Sequence, residues 1–134
     1  FIGISLLREA VRMEPYKLFD AEYRFMSIVW ELEPVNSTQL CRVCQERLGW
    51  KKPTTYTVLR KLGDRRIVRN ENAVVTALVK REQVQQYESQ TLVEKAFDGS
   101  LPGFLTAFLG KQKLSREEAE ELKRIIEEAT ETCP

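Results

Sequence analysis

Histidine is missing from this chain of 134 residues. Its absence excludes Ser-His-Asp and Cys-His nucleophilic mechanisms and every His-ligated zinc site. Cysteine is nearly as scarce. Cys41, Cys44 and Cys133 are too few and too unevenly spaced for a disulfide-stapled secreted fold, so a reducing cytoplasm is the expected compartment. No apolar run approaches the roughly 20 residues of a membrane helix. The opening FIGISLL is short and is followed by Arg8, Glu9 and Arg12, not by the small residues of a secretory cleavage site. The glycines form no phosphate-cradling loop. Cys41-Arg42-Val43-Cys44 has CxxC spacing, but two thiolates need two further ligands, and buried core cysteines are the better reading. An enzyme is therefore a distant reading, and neither a metal, another cofactor nor a small-molecule substrate is expected.

What the chain does have is charge, sorted by position. Its net +1 hides 12 Lys and Arg against 7 Asp and Glu over residues 17–80, and 7 against 11 over residues 81–134. Between Arg42 and Arg69 the imbalance sharpens to 9 cations against Glu46 and Asp64. A basic first half implies a polyanionic partner.

The stretch WKKPTTYTVLRKL, Trp50 to Leu62, gives that charge a frame. Pro53 suits a first helical turn, and Thr55, Val58, Leu59 and Leu62 fall at i, i+3, i+4 and i+7 as an inward stripe. Lys51, Lys52, Thr54, Thr57, Arg60 and Lys61 are left on the other faces and at the helix start. Hydroxyls and cations of this kind meet base edges and phosphates, with Thr57 and Arg60 the candidates for base readout and the lysines for phosphate. Tyr56 could lie on the sugar-phosphate backbone or cover the helix start. Gly63 is expected to end the helix.

Two helices precede this one. Asp20 is expected to cap the first, over Ala21 to Glu33, with Ala21, Phe25, Ile28, Val29 and Leu32 inward. Pro34-Val35-Asn36 reads as an extended connector, with Ser37 or Thr38 capping a second helix that runs to about Leu48 and stops on Gly49. The short turn after Gly49 requires a steep crossing, the helix-turn-helix arrangement. Ile67 to Arg69 and Val74 to Val79 read as strands around a turn at Asn70-Glu71-Asn72. Arg65, Arg66 and Arg69 lie near the root of this wing, and Arg69 joins the expected DNA contacts.

The fold class expected is mainly α: a winged helix-turn-helix of three helices and a small β-hairpin wing over residues 17–80, then a helical dimerisation region over 81–134. Residues 1–16 are read as an N-terminal extension. In the tail Phe97, Leu101, Phe104, Leu105 and Phe108 crowd together before Gly110, and Ser115-Arg116-Glu117-Glu118 opens a last helix striped with Leu122 and Ile126. So few residues cannot close a core alone. A second copy of the chain is the expected cover, giving a homodimer on two half-sites of double-stranded operator DNA. The competing reading is a winged protein-interaction module whose basic face docks an acidic partner.

In order and spacing, AEYRFMSIVWE (Ala21 to Glu31), TTYTVLRKL (Thr54 to Leu62), FDGSLPGFLTAFL and LSREEAEELKRII resemble the penicillinase repressor family, the BlaI, MecI and CopY type. The resemblance runs from about Leu18 to Ala129. It implies a homodimeric transcriptional repressor of β-lactam resistance or related cell-envelope stress genes. It further implies relief by a membrane-bound sensor metalloprotease that cuts the dimerisation region. The matching bond here is Ala107–Phe108, where repressors of this type carry Asn before the Phe. CopY-type members carry paired cysteines near the C-terminus; Cys133 stands alone, so copper sensing is not expected.

Overall fold

Three helices come first. α1 (Asp20–Leu32) starts from Phe19, not from Asp20: Phe19 holds the extended cap position and its backbone N–H donates to Glu22 Oε1 at 2.9 Å. Asp20 and Glu22 then place negative charge in the first turn, where the helix dipole favours it. The helix buries Phe25, Met26, Ile28 and Val29, one residue wider than the expected stripe at Met26, while Ala21 is exposed. β1 (Val35–Asn36) is two residues long and ends in the cap of the next helix. The Asn36 side chain accepts from the Thr38 N–H at 2.8 Å, which displaces Ser37 and Thr38 from the capping role. α2 (Ser37–Leu48) closes as expected on Gly49, left-handed at φ 69°, with the Gly49 and Trp50 N–H groups returning to the Gln45 and Cys44 carbonyls.

α3 (Lys52–Asp64) carries Pro in its first turn and buries Thr55, Leu59 and Leu62, with Val58 half-buried. It does not stop at Gly63. The chain instead turns at Arg66, φ 59°, where the Ile67 N–H reaches the Leu62 carbonyl at 2.9 Å.

β2 (Val68–Glu71) and β3 (Val74–Ala77) are antiparallel, and β1 pairs on the other side of β3, so the sheet order is β1-β3-β2. The wing turn is Asn72-Ala73, both at positive φ (53° and 65°), the geometry of a two-residue hairpin turn that follows strand twist. Asn70 and Glu71, expected in the turn, are strand residues.

α4 (Arg81–Phe97) begins where the Lys80 N–H donates to Gln83 Oε1 at 2.8 Å. Its Val84 is buried in the same core as Phe25, Met26, Leu40, Leu62, Ile67 and Val75. The computed structural model describes residues 16–130, so the expectations for residues 1–15 and Cys133 lie outside it. The chain divides into two compact units between Thr91 and Leu92, within α4. The second unit holds α5 (Leu101–Leu109), capped by Ser100 accepting from the Gly103 N–H at 2.9 Å, and α6 (Arg116–Ala129), opened by the expected Ser115–Glu118 capping box. No helix of the described residues is long and apolar enough to cross a membrane.

Candidate nucleic-acid interface

Residues of α3 that face away from the core are the start of the site. Lys51, Lys52, Thr54, Thr57, Arg60, Lys61 and, on β2, Arg69 are all exposed. Their fixed frame comes from below: Thr55, Leu59 and Leu62 anchor α3 on the core, and Phe25 stacks on Trp50 at 6.0 Å just before the helix begins.

α3 opens with Lys51 and Lys52 and has no acidic residue in its first turn. A helix N-terminus already carries partial positive charge, so two lysines there repel it in the free protein. A phosphate oxygen would reverse the sign of that interaction through the two ammoniums and not through the helix backbone, since Pro53 has no N–H and the Thr54 and Thr55 N–H groups already donate to the Lys51 carbonyl at 2.9 and 3.2 Å. Lys52 Nζ also sits 5.9 Å from the Tyr56 ring, and the Tyr56 hydroxyl approaches Ser37 Oγ at 3.5 Å. The Tyr56 hydroxyl is thus turned toward the start of α2, while the residue also lines the open side of α3 toward the wing.

Further along, Thr57 Oγ1 donates to the Pro53 carbonyl at 2.9 Å. Its proton is engaged, so it presents a methyl group and acceptor lone pairs outward. Those suit a thymine methyl or an amino hydrogen of adenine or cytosine. Thr57, Arg60, Arg69 and Asn70 line one open groove of about 690 Å³ between α3 and the wing, together with the acidic Asp64 and Glu71. Among the described residues Lys51, Lys52, Arg60 and Lys61 form no ion pair, whereas Arg69 Nε lies 3.7 Å from Glu71 in solvent, a contact of little strength. Lys61 is exposed outside that groove. Asn70 was not expected in the site; an Asn two residues later, suited to a left-handed turn position, was the available signal for shifting the turn.

Arg65, one of the three arginines expected at the wing's root, is committed elsewhere. Its guanidinium bonds both Glu22 carboxylate oxygens at 3.2 Å and the Lys17 carbonyl, tying the end of α3 to the start of α1. Arg66 remains exposed. Cys41 and Cys44 are buried and unbridged, and burial pushes the Cys44 thiol up to about 11. Such a thiol is neither a ready nucleophile nor a metal ligand, and among the described residues no cluster of His, Cys, Asp and Glu could hold a metal.

The second unit has a different surface. Phe97 meets Phe104 edge-on at 5.5 Å, and Phe104 stacks near Phe108 at 5.8 Å. Phe104, Leu105, Phe108 and Leu122 line an apolar groove of about 310 Å³. Even so, no residue of α5 or α6 is buried: Leu101, Phe108 and Ile126 are 55, 55 and 54% exposed. Ala107 and Phe108 are exposed within α5.

A three-helix body with a β-hairpin wing, presenting unpaired cations and hydroxyls on its third helix, defines the winged helix-turn-helix class. The family model described as penicillinase repressor matches residues 18–128, and the chain belongs to that family of transcriptional repressors. It is 24% identical over 115 residues to the methicillin resistance regulatory protein MecI of Staphylococcus aureus strain Mu50, covering 83% of this chain and 94% of the relative. The MecI of Mammaliicoccus sciuri is 23% identical over the same shares. The penicillinase repressor of Bacillus licheniformis is 23% identical over 116 residues, 84% of this chain and 91% of the relative.

Proposed function

We propose that this chain is a homodimeric repressor that binds a palindromic operator through α3 and the wing. It acts in the cytoplasm on genes of β-lactam resistance or related cell-envelope stress. The observation that carries this reading is the second unit, whose helices are striped with Leu101, Phe104, Phe108, Leu122 and Ile126 yet bury none of them. A second copy supplies the missing cover, and membership of the repressor family supports DNA as the ligand. Lys51, Lys52, Lys61 and Arg69 contact phosphate, Thr57 and Arg60 read base edges, and Thr54 contacts DNA beside them.

Dimerisation is then the source of useful affinity. One protomer neutralises few phosphates, and linking two makes the second engagement intramolecular, a gain on the order of 10²–10⁴. Relief follows by breaking the link. Cutting Ala107–Phe108 by a membrane-bound sensor metalloprotease would sever α5 without touching the groove residues. That bond is helical, so α5 must open before a protease can hold it extended. Within one protomer no side chain of this nine-residue helix is buried, so the cover lent by the second copy is the main resistance to its opening.

The test is Phe104→Asp in the full chain, followed by sedimentation and by operator titration. A monomer that loses operator affinity by about 10²-fold or more is expected. A monomer that holds the operator as tightly as the parent would sink the mechanism, and salt-sensitive binding to an acidic protein with no DNA preference would favour the interaction-module reading.

A further inference from the structure

α4 is weakly anchored by apolar contact. Among its residues only Val84 is buried, and the helix is otherwise polar at its start. Its root is nonetheless held at three points by orientation-dependent bonds from the end of α1. The Trp30 indole Nε1–H donates to the Val79 carbonyl at 2.9 Å across 49 residues of sequence. The Arg81 guanidinium lies 5.1 Å from the centre of the same indole, and Tyr23 packs edge-on against its ring at 5.7 Å. Beside it, Glu33 Oε1 accepts from the Ala77 N–H at 3.0 Å and lies 3.7 Å from Lys80 Nζ. Hydrophobic contact is non-directional, whereas an N–H aimed at a carbonyl and a cation over a ring face fix an angle.

We propose that Trp30, Glu33 and Arg81 are positioning residues that fix the direction of α4 on the winged body and so set the spacing between half-sites that the repressor accepts. This rests on the dimeric reading above. The part of α4 inside the first unit, residues 81–91, is about 16 Å long at 1.5 Å per residue. A tilt of about 15° at its root moves the end of that part by about 4 Å, or about one base-pair step of 3.4 Å. Since the two recognition helices of a dimer must match half-sites a helical turn apart, a loose root would tolerate several spacings and a fixed root one.

The experiment uses the full-length chain and duplexes built from the half-site it selects out of random-sequence DNA. The half-site is placed once, or twice in inverted repeat with the spacer varied one base pair at a time. The parent should show one sharply preferred spacing. Trp30→Phe and Arg81→Met should bind the single half-site as the parent does, lose about tenfold on the best-spaced duplex, and discriminate less among spacers. Arg81→Lys, which keeps a cation over the ring, should restore the sharp profile. A sharp parental profile that both variants reproduce overturns the positioning role alone, as does an equal loss on the single half-site, which would place the residues in the stability of the winged body. A parent that binds two half-sites more tightly than one but at every spacing overturns this inference alone, and a parent that gains nothing from a second half-site overturns the dimeric reading and this inference with it.

Discussion

Thr55 sits in the first turn of α3 with 0% of its surface exposed, and its hydroxyl oxygen has no hydrogen-bond partner. Valine has the same branched shape and a similar helix propensity, so Thr55→Val exchanges a buried hydroxyl for a methyl and changes little else. Burying a hydroxyl without a partner costs about 1–3 kcal/mol in proteins. Thr55→Val should therefore stabilise the winged body by about 1 kcal/mol or more, raising its thermal midpoint by about 4–8 °C per kcal/mol for a domain of this size. Urea and thermal unfolding followed by circular dichroism would read the change. Because Thr55 faces the core, operator affinity should be unchanged. The nearest challenge to this reasoning is Cys44, whose thiol pKa the Thr55 hydroxyl lowers slightly against the larger upward push of burial. A thiol is a weak hydrogen-bonding group, so its proximity does not replace a full partner. A loss of about 1 kcal/mol or more on Thr55→Val would refute the argument, and adding Cys44→Ala would show whether that thiol was the partner by abolishing the loss.

Other outcomes follow from the same geometry. Arg60→Ala should cost about 1–3 kcal/mol of operator binding and blur preference at one base pair, whereas Lys51→Ala should weaken all sequences alike and lower the salt slope by about one; salt-dependent titrations on matched and mutated duplexes separate the two. Ala73→Gly should stabilise the wing by about 0.5–1 kcal/mol, because Ala73 holds φ 65° and glycine removes the Cβ penalty, as chemical unfolding would register. The Cys44 thiol, raised from 9.0 to about 11, contributes stability that is fully present below its unfolded value and is lost as pH rises toward its folded one. Unfolding measured between about pH 8 and 11 should show that decline, and Cys44→Ala should remove it.

Long periodic stretches were legible in the sequence, and single-residue geometry was not. The stripes at Phe25, Ile28 and Val29 and at Thr55, Leu59 and Leu62 reach the core because a helix repeats its facing many times. The cap at Asn36 was missed because Ser37 and Thr38 offer the same chemistry one position away. Gly63 read as a stop because glycine is favoured there, yet helical bonding runs past it, with the Arg65 N–H donating to the Lys61 carbonyl at 3.2 Å, and the left-handed turn falls to Arg66. β1 has two residues, too few for any alternation, and exists only through its pairing with β3. Arg65 and Arg69 are indistinguishable by composition; Glu22, 43 residues away, is what removes the first from the surface cations. The Trp30 bond to Val79 has no sequence signature, since its acceptor is a backbone carbonyl 49 residues away.

The most direct measurement is a gel shift of the full-length protein on the DNA upstream of its own gene against scrambled DNA of equal length, near physiological salt and over a range of protein concentration. Sequence-specific retardation with two protomers per duplex is the predicted result. Equal, salt-fragile retardation of both DNAs would contradict base readout by Thr57 and Arg60 and the repressor dimer built on it.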